Sequence, residues 1–351
     1  MIPPPKPHLP SLNPRELLAA SGVEAVAEAL ASTGYMIQRQ LLSDLIQALR
    51  SGRPLLIEGE AGAGKTALAY ALYEACNLTL FPLQGMAELR LADILYEWDR
   101  EAQNQWVIQA TASGATTLEA AQEAQYTMRF LKLGEALNAY HWAAQTGSVP
   151  LFLFDEVDKL PEHLQDMLLQ LCECGFAHVP RFNQPIGIYD AETGATERTR
   201  HPVVIFTSNN LRHKLSEPFR SRCYYSWLDS PTPREEVKIL RRRVPDASPQ
   251  LVTAVVKINE CIKMIPGVQK KPGLRELIDL LAALVRDRVP RVNEAVLHDY
   301  VGYLAKQKSH IKSLREALAR IERHLEIEDR RVDEWVAEAF AIDGAVLEMA
   351  A

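Results

Sequence analysis

The sequence predicts an α/β fold in which a parallel sheet is flanked by helices and followed by an all-helical region. Three apolar runs, at residues 55–57, 149–154 and 202–207, are continuous, which is typical of strands buried on both faces. Segments with helical patterns separate these runs, as the crossover connections of a parallel sheet require. Pro231 and Pro233 interrupt the pattern, and the sequence after them is helical.

Composition limits the classes of protein to consider. The 351 residues are 47% hydrophobic and 24% charged, so the chain can bury a large core and divide into two or three domains. A formal net charge of −6 gives no overall attraction to nucleic acid or to an anionic membrane. No apolar stretch approaches the roughly 18 residues of a membrane span, and the proline-containing N-terminus lacks a signal-peptide core, so we expect a cytoplasmic protein. Five scattered cysteines are a poor disulfide framework.

The first strand leads into a loop with the pattern Gly59-x4-Gly64-Lys65-Thr66, and a helix follows. Glycines let the backbone fold around a polyphosphate with its N–H groups pointing inward, and the helix N-terminus adds partial positive charge. Lys65 would reach the β- and γ-phosphates and the Thr66 hydroxyl would bind Mg²⁺. The alternative is a glycine-rich turn before an ordinary helix. The predicted phosphate-binding residues are Gly59, Glu60, Ala61, Gly62, Ala63, Gly64, Lys65, Thr66 and Ala67.

Two acids, Asp155 and Glu156, follow the second apolar run. The carboxyl ends of parallel strands share one edge of the sheet, so these acids should lie near the loop. Asp155 would hold Mg²⁺, and Glu156 would orient and polarise the attacking water. A solvated acidic loop is the alternative.

Polar residues also follow the third run. Asn209 can hydrogen-bond a γ-phosphate or the attacking water without adding charge, and Asn210 is an alternative for this role. Residues 215–223 then form a short helix-like segment that carries Arg220 and Arg222.

In this order, the motifs resemble those of the AAA+ ATPase superfamily. Residues 92–99, 154–159 and 206–210 are similar to the corresponding segments of its MoxR-like branch, and the resemblance runs from about residue 35 to about residue 285. It implies a P-loop NTPase (AAA+) parallel sheet, followed by an all-α lid domain and a C-terminal helical extension. ATP and Mg²⁺ are the implied cofactors.

The resemblance also implies a role for each motif. Residues 60–66 match the Walker A loop, Asp155 and Glu156 the Walker B pair, and Asn209 the sensor-1 residue. Arg222 matches the arginine finger that acts on the nucleotide of a neighbouring protomer, with Arg220 as the second candidate.

A further arginine, Arg275, matches the sensor-2 residue of the lid, although it could also be a surface arginine at the start of a helix. A site shared between protomers implies a homo-oligomer that closes into a ring, and the resemblance implies a hexamer because superfamily members are usually hexameric. Superfamily members of this branch remodel or help to assemble a partner protein, often one with a von Willebrand factor A domain. A nucleic-acid motor, loader or restriction-type NTPase is the alternative, and a scaffold that hydrolyses nucleotide poorly is a third.

We expect four segments: a Pro-containing N-terminal arm and helix at 1–34, the ATPase domain at 35–229, a helical lid at 230–310 and a helical extension at 311–351. Two further parts of the ATPase domain, a mostly helical stretch at 82–146 and a hairpin at 176–201, have sequences that the nucleotide site does not require. A helix-packing seam is predicted in the extension by apolar residues at steps of three and four. Its members are Ile311, Leu314, Leu318, Ile321 and Leu325.

Overall fold

A computed structural model of the chain describes residues 11–189, 198–209, 215–265, 268, 271–305 and 307–349. Its contacts divide the chain into two compact units. The first unit comprises residues 1–59 and 65–228, and the second comprises residues 60–64 and 229–351. In the part that is described, no helix combines the length and the apolar character that a membrane span needs.

The first unit contains every strand of the described residues. These are β1 (Leu55–Gly59), β2 (Leu80–Gln84), β3 (Tyr96–Trp98), β4 (Leu131–Leu133), β5 (Leu151–Asp155), β6 (Phe176–Ala177), β7 (Ile186–Gly187), β8 (Val203–Ser208) and β9 (Tyr224–Leu228). The helices of this unit are α1 (Pro14–Ser32), α2 (Arg39–Ser51), α3 (Lys65–Ala75), α4 (Leu91–Ile94), α5 (Arg100–Ala112), α6 (Leu118–Ala124), α7 (Glu135–Thr146), α8 (Glu162–Cys174) and α9 (Glu217–Arg222).

Five of the strands form a parallel sheet in the order β2-β5-β8-β1-β9. The three predicted strands are its centre, and their apolar side chains are buried because helices flank the sheet. Phe152, Phe154 and Phe206 pack edge to face at ring centroid separations of 6.3–6.4 Å. The predicted α/β fold is confirmed.

The edge strand β9 was not apparent from the sequence. Its residues alternate between exposed Tyr225 and Trp227 and buried Ser226 and Leu228, so it is not a continuous apolar run. It pairs with β1 from Leu55↔Tyr224 to Gly59↔Leu228. Because the two strands are parallel, α9, which precedes β9, lies at the end of the sheet where β1 begins.

The stretch at 82–146 is mostly helical, as predicted, and also contains the antiparallel pair β3–β4. Helices α5 and α6 lie between these two strands in the sequence. The predicted hairpin at 176–201 is present as the short antiparallel pair β6–β7. The polar stretch at 190–197 lies outside the described residues.

The second unit contains α10 (Pro233–Arg243), α11 (Pro249–Lys263), α12 (Leu274–Arg286), α13 (Glu294–Leu304), α14 (Lys308–Glu326) and α15 (Arg330–Met349). Helix α10 begins with Thr232 and Glu235 in a reciprocal capping box, which explains the boundary that the prolines indicated. The predicted seam on α14 is buried against the other helices of this unit through Leu314, Leu318 and Ile321. The predicted all-α lid and helical extension are confirmed as parts of the fold.

A buried histidine, His201, precedes β8 in the first unit. Its ring lies 5.5 Å from that of Tyr140, and only 1% of its surface is exposed. The Arg15 guanidinium donates to the His201 carbonyl oxygen at 2.7 Å. Burial, assisted by the Arg15 charge, lowers the pKa of His201 to about 4.

This lowered pKa predicts a loss of stability in mild acid. The unfolded chain binds more protons than the folded chain between the ordinary pKa of 6.5 and the folded value of about 4, so the free energy of unfolding falls as the pH falls through this window. We expect His201 to account for a loss of about 2 kcal/mol between pH 7 and pH 5, measured by urea unfolding. His201→Leu should remove that part of the dependence, and exposed His163, changed to Gln, should not. Equal pH dependence in His201→Leu and wild type would contradict the assignment.

Candidate functional site

The polar residues predicted from the three strand ends meet at the carboxyl edge of the parallel sheet. Gly59 ends β1, Asp155 ends β5, and Asn209 follows β8. Because β8 lies between β1 and β5, the amide of Asn209 stands between the loop after β1 and the acids after β5. Helix α3 begins with Lys65 and Thr66 at this same edge.

The loop between β1 and α3 has the backbone that its glycines predict. Gly62 and Gly64 have φ values of 86° and 99°, in the left-handed region that glycine adopts without strain. At Gly59 a Cβ would lie 2.2 Å from the Leu228 carbonyl oxygen, so only glycine allows β1 and β9 to approach so closely here. Glu60 accepts a hydrogen bond of 2.8 Å from the Ser230 hydroxyl.

Lys65 is buried, with 6% of its surface exposed. Its ammonium donates to the Gly59 carbonyl oxygen and to Asn209 Oδ1, each at 2.9 Å. Both acceptors are neutral dipoles rather than anions. The lysine charge is thereby held at the point where the loop would place a polyphosphate.

Asp155 fastens α3 to the sheet. Its Oδ1 accepts hydrogen bonds from the hydroxyls of Thr66, at 2.7 Å, and of Thr207. Burial and the Asp155 charge raise the pKa of the nearby Tyr70. A hydroxyl and a carboxylate are hard oxygen ligands, the kind that Mg²⁺ prefers. The Thr66 hydroxyl and the Asp155 carboxylate are therefore a pair of oxygen ligands suited to Mg²⁺.

Glu156 has a left-handed backbone, with φ 58° and ψ 50°, which is uncommon for a residue with a side chain. Its Oε1 accepts from Asn209 Nδ2 at 2.9 Å, and its Oε2 accepts from Gln84 Nε2 at 2.7 Å and from the Lys159 ammonium. Sequence reasoning missed Gln84 and Lys159. The available signals were a polar side chain at the end of β2 and a lysine three positions after an acid.

The close approach of Glu156 to β2 depends on Gly85. The Gly85 N–H donates to the Asp155 carbonyl oxygen at 2.7 Å, and a Cβ at Gly85 would lie 2.0 Å from the Glu156 carbonyl oxygen. Thr207 adds a second constraint, because its hydroxyl accepts from the Glu156 N–H at 2.9 Å. Thr207 was seen in the sequence only as part of a strand.

The arginines of α9 extend toward opposite ends of the sheet. Arg222 pairs with Glu173 at 2.9 Å, and its side chain is 42% exposed. It lies at the amino edge, because Tyr224, two residues later, pairs with Leu55 at the start of β1. The four residue steps of β1 put this edge about 13 Å from Gly59. Arg222 is therefore remote from Lys65 in its own chain.

Arg220 extends the other way. Its guanidinium lies 2.9 Å from the carboxylate of Glu58, which is 1% exposed and directly precedes Gly59. Tyr225 donates its hydroxyl to the same carboxylate at 3.0 Å. Burial and this hydrogen bond raise the pKa of Tyr225. Neither Glu58 nor Tyr225 was singled out from the sequence.

Two predicted residues are not part of this network. Arg275 is an exposed second residue of α12 in the second unit. Asn210, the alternative to Asn209, lies outside the described residues. Over the described ranges there is no group of three or more His, Cys, Asp or Glu residues that could hold a metal ion.

Comparison with known proteins gives a family match for the part of the chain that carries the site. Residues 54–223, just under half of the chain, match the AAA domain family, dynein-related subfamily. Together with the parallel sheet, this match makes the fold a P-loop NTPase fold of the AAA+ type. The crystal structure of the FIGL-1 AAA domain in complex with ADP is similar at 13% identity and a TM-score of 0.37, over 82% of this chain and 77% of that one. A search of the curated proteins finds no match.

The contact at Gly85 predicts a measurable loss of stability. In Gly85→Ala the new methyl group cannot be accommodated 2.0 Å from a backbone oxygen, so the strands must shift. We expect the free energy of unfolding to fall by about 1–3 kcal/mol, measured by urea denaturation. Gly302 on α13 is the control, since a Cβ there has no neighbour within 4 Å, and Gly302→Ala should be neutral or stabilising. Unchanged stability of Gly85→Ala would contradict the close packing of β2 against Glu156.

Proposed function

We propose that this chain, whose residues 54–223 match the AAA domain family, is a Mg²⁺-dependent AAA+ ATPase that works as a ring and acts on a partner protein. The observation that carries the proposal is the hydrogen-bond network at the carboxyl edge of the sheet. It joins Lys65, Thr66, Asp155, Glu156 and Asn209, which are the residues that nucleotide binding and hydrolysis require.

Nucleotide binding uses charge and hydrogen-bond donors that are already in place. The backbone N–H groups of residues 60–67 surround the phosphates, with the N-terminus of α3 adding partial positive charge. Lys65 would exchange the Gly59 and Asn209 oxygens for phosphate oxygens, which are stronger partners for an ammonium. Thr66 and Asp155 hold Mg²⁺, which supplies charge neutralisation on the phosphates when it is bound.

Hydrolysis requires Glu156 to face a water molecule. In the described structure three side chains, those of Asn209, Gln84 and Lys159, donate to its carboxylate, so both of its oxygens are already hydrogen-bonded within the protein. Asn209 also accepts from Lys65 through its other amide atom. When Lys65 turns to phosphate, the Asn209 side chain loses its donor and can reorient. Nucleotide binding thereby releases Glu156 from one of its donors.

The position of Arg222 supports a site shared between protomers. Because Arg222 lies at the amino edge, about 13 Å along β1 from the P-loop of its own chain, it completes the site of a neighbour rather than its own. Repetition of this head-to-tail contact closes into a ring, for which we propose a hexamer.

Arg275 acts from the lid on the γ-phosphate in this scheme, and Arg275→Ala should bind ATP and turn it over more slowly.

The partner proposed is a protein that the ring remodels, assembles or activates, as the resemblance to the MoxR-like branch implies. A partner with a von Willebrand factor A domain is the first candidate within that branch. The net charge of −6 offers no overall attraction to nucleic acid, so the nucleic-acid motor remains the alternative and is not favoured. Five free cysteines accord with a cytoplasmic location, which we also propose.

The first functional prediction separates binding from hydrolysis. Lys65→Ala should abolish ATP binding because the phosphate charge is no longer neutralised, whereas Glu156→Gln should bind ATP and lose turnover because the water is no longer polarised. Isothermal titration and phosphate release measure the two steps. Equal ATP affinity in wild type and Lys65→Ala would refute the proposed site.

The second functional prediction concerns the shared site. Arg222→Ala should bind ATP but lose turnover by about 10³-fold or more, as arginine fingers do in other phosphoryl-transfer enzymes. Mixing Arg222→Ala with Lys65→Ala chains should restore part of the turnover, because some interfaces then combine an intact P-loop with an intact Arg222. Arg286→Met, which removes an exposed guanidinium paired with Asp287, is the control and should leave turnover unchanged. Normal hydrolysis by Arg222→Ala would rule out the finger.

A further inference from the structure

Helix α9 is too short to be stable or to keep a fixed orientation by itself. It has six residues, and isolated helices of this length are unstable, so its orientation depends on tethers to the rest of the first unit. Phe219, with no exposed surface, anchors its centre in the core. The Arg53 guanidinium donates to the carbonyl oxygens of Ser221 and Arg222 at its C-terminal end.

Two ion pairs also tether α9: Arg222 pairs with Glu173 on α8, and Arg220 pairs with Glu58 on β1. Glu58 is a buried carboxylate, and a buried charge is strongly disfavoured unless it is paired and hydrogen-bonded. Arg220 supplies the opposite charge at 2.9 Å, and Tyr225 supplies a hydroxyl at 3.0 Å on the second carboxylate oxygen. Loss of Arg220 would leave Glu58 without its cation. The pair therefore limits rotation of α9 about Phe219, and it is the tether that connects α9 to β1.

The other end of this tether is the nucleotide loop. Glu58 directly precedes Gly59, whose carbonyl oxygen accepts from Lys65. Arg220 is thus already engaged with a buried anion in its own chain, whereas Arg222, two residues later, is exposed at the opposite edge. The two arginines, which the sequence left as rival finger candidates, have different surroundings.

We propose that Arg220 is a positioning residue rather than a second finger: its pair with Glu58 fixes the direction in which α9 presents Arg222. The inference rests on the proposed action of Arg222 on a neighbouring protomer. The Arg220–Glu58 pair would thus connect two neighbouring nucleotide sites. It links Arg222, which acts on the nucleotide of the neighbouring protomer, to β1, which carries the P-loop of its own chain.

A two-chain experiment isolates this role. The accepting chain carries Arg222→Ala and supplies the working P-loop, and the donating chain carries Lys65→Ala and supplies the working finger. Further changes are made only in the donating chain, whose own P-loop is already inactive. Any effect on the restored turnover then reports on the finger and not on nucleotide binding.

Arg220→Met and Glu58→Gln in the donating chain should each lower the restored kcat about 10- to 100-fold, the loss expected from a misplaced group, with the KM for ATP unchanged. The chain with both changes should be no worse than either alone, because both break one interaction. Arg220→Lys should recover part of the turnover. Arg286→Met in the donating chain is the matched control and should have no effect.

Several results would overturn the inference. A loss with Arg220→Met but none with Glu58→Gln would show that Arg220 contacts the nucleotide itself, and no loss with either would remove any role for the pair. If Glu58→Gln does not fold, Tyr225→Phe replaces it and should give a smaller loss of the same kind, since it removes only the hydroxyl on Glu58. An unchanged kcat in that chain would count against the inference.

Hydrogen exchange tests the positioning without a ring. Amides of residues 219–223 should exchange about tenfold faster in single chains of Arg220→Met and Glu58→Gln than in wild type. Unchanged exchange would contradict the inference even if the mixed chains show no turnover. A mixture with the unmodified donating chain that shows no restored turnover would instead count against the shared site.

Discussion

The arrangement at the carboxyl edge depends on one buried cation, the ammonium of Lys65. It donates to the Gly59 carbonyl oxygen at the end of β1 and to the Asn209 amide oxygen after β8. A buried ammonium is tolerated only where it is well hydrogen-bonded, so the strands on either side must bring these acceptors to it. Asn209 then extends the same network to Glu156, and Asp155 connects the start of α3 to β5 and β8. A phosphate is a better partner for Lys65 than either neutral acceptor, which makes this network responsive to nucleotide.

The second organising constraint is the parallel direction of the strands. It gathers the P-loop, the acids and Asn209 at one edge and leaves Arg222 at the other. Arg222 lies about 13 Å along β1 from its own P-loop. The proposed cooperation between protomers rests on this separation, and the pair of Arg220 with buried Glu58 connects the two edges within one chain.

The sequence predicted the parallel sheet and the elements of the nucleotide site because their signals are local. Gly59, Lys65 and Thr66 lie within eight residues, and Asp155 and Glu156 directly follow an apolar run. The structure brings these residues together, and their roles remain proposals. The partners of Glu156 could not be predicted, because Gln84 is 72 positions away and its contact depends on β2 lying next to β5. The alternating strand β9 and the buried Glu58 were missed for a similar reason. The pairing of β9 with β1, and the contacts of Glu58 with Arg220 and Tyr225, depend on the order of strands in the sheet.

The central claim is that Mg²⁺ and ATP bind at Lys65, Thr66 and Asp155, and that a neighbouring chain completes the site. The most direct measurement is the experimental structure of the Glu156→Gln protein with ATP and Mg²⁺. We expect Lys65 to contact the β- and γ-phosphates in place of Asn209, Mg²⁺ to lie beside Thr66 and Asp155, and Arg222 of the partner subunit to contact the γ-phosphate. ATP bound away from Lys65, or Arg222 remote from every nucleotide in a closed assembly, would contradict the account.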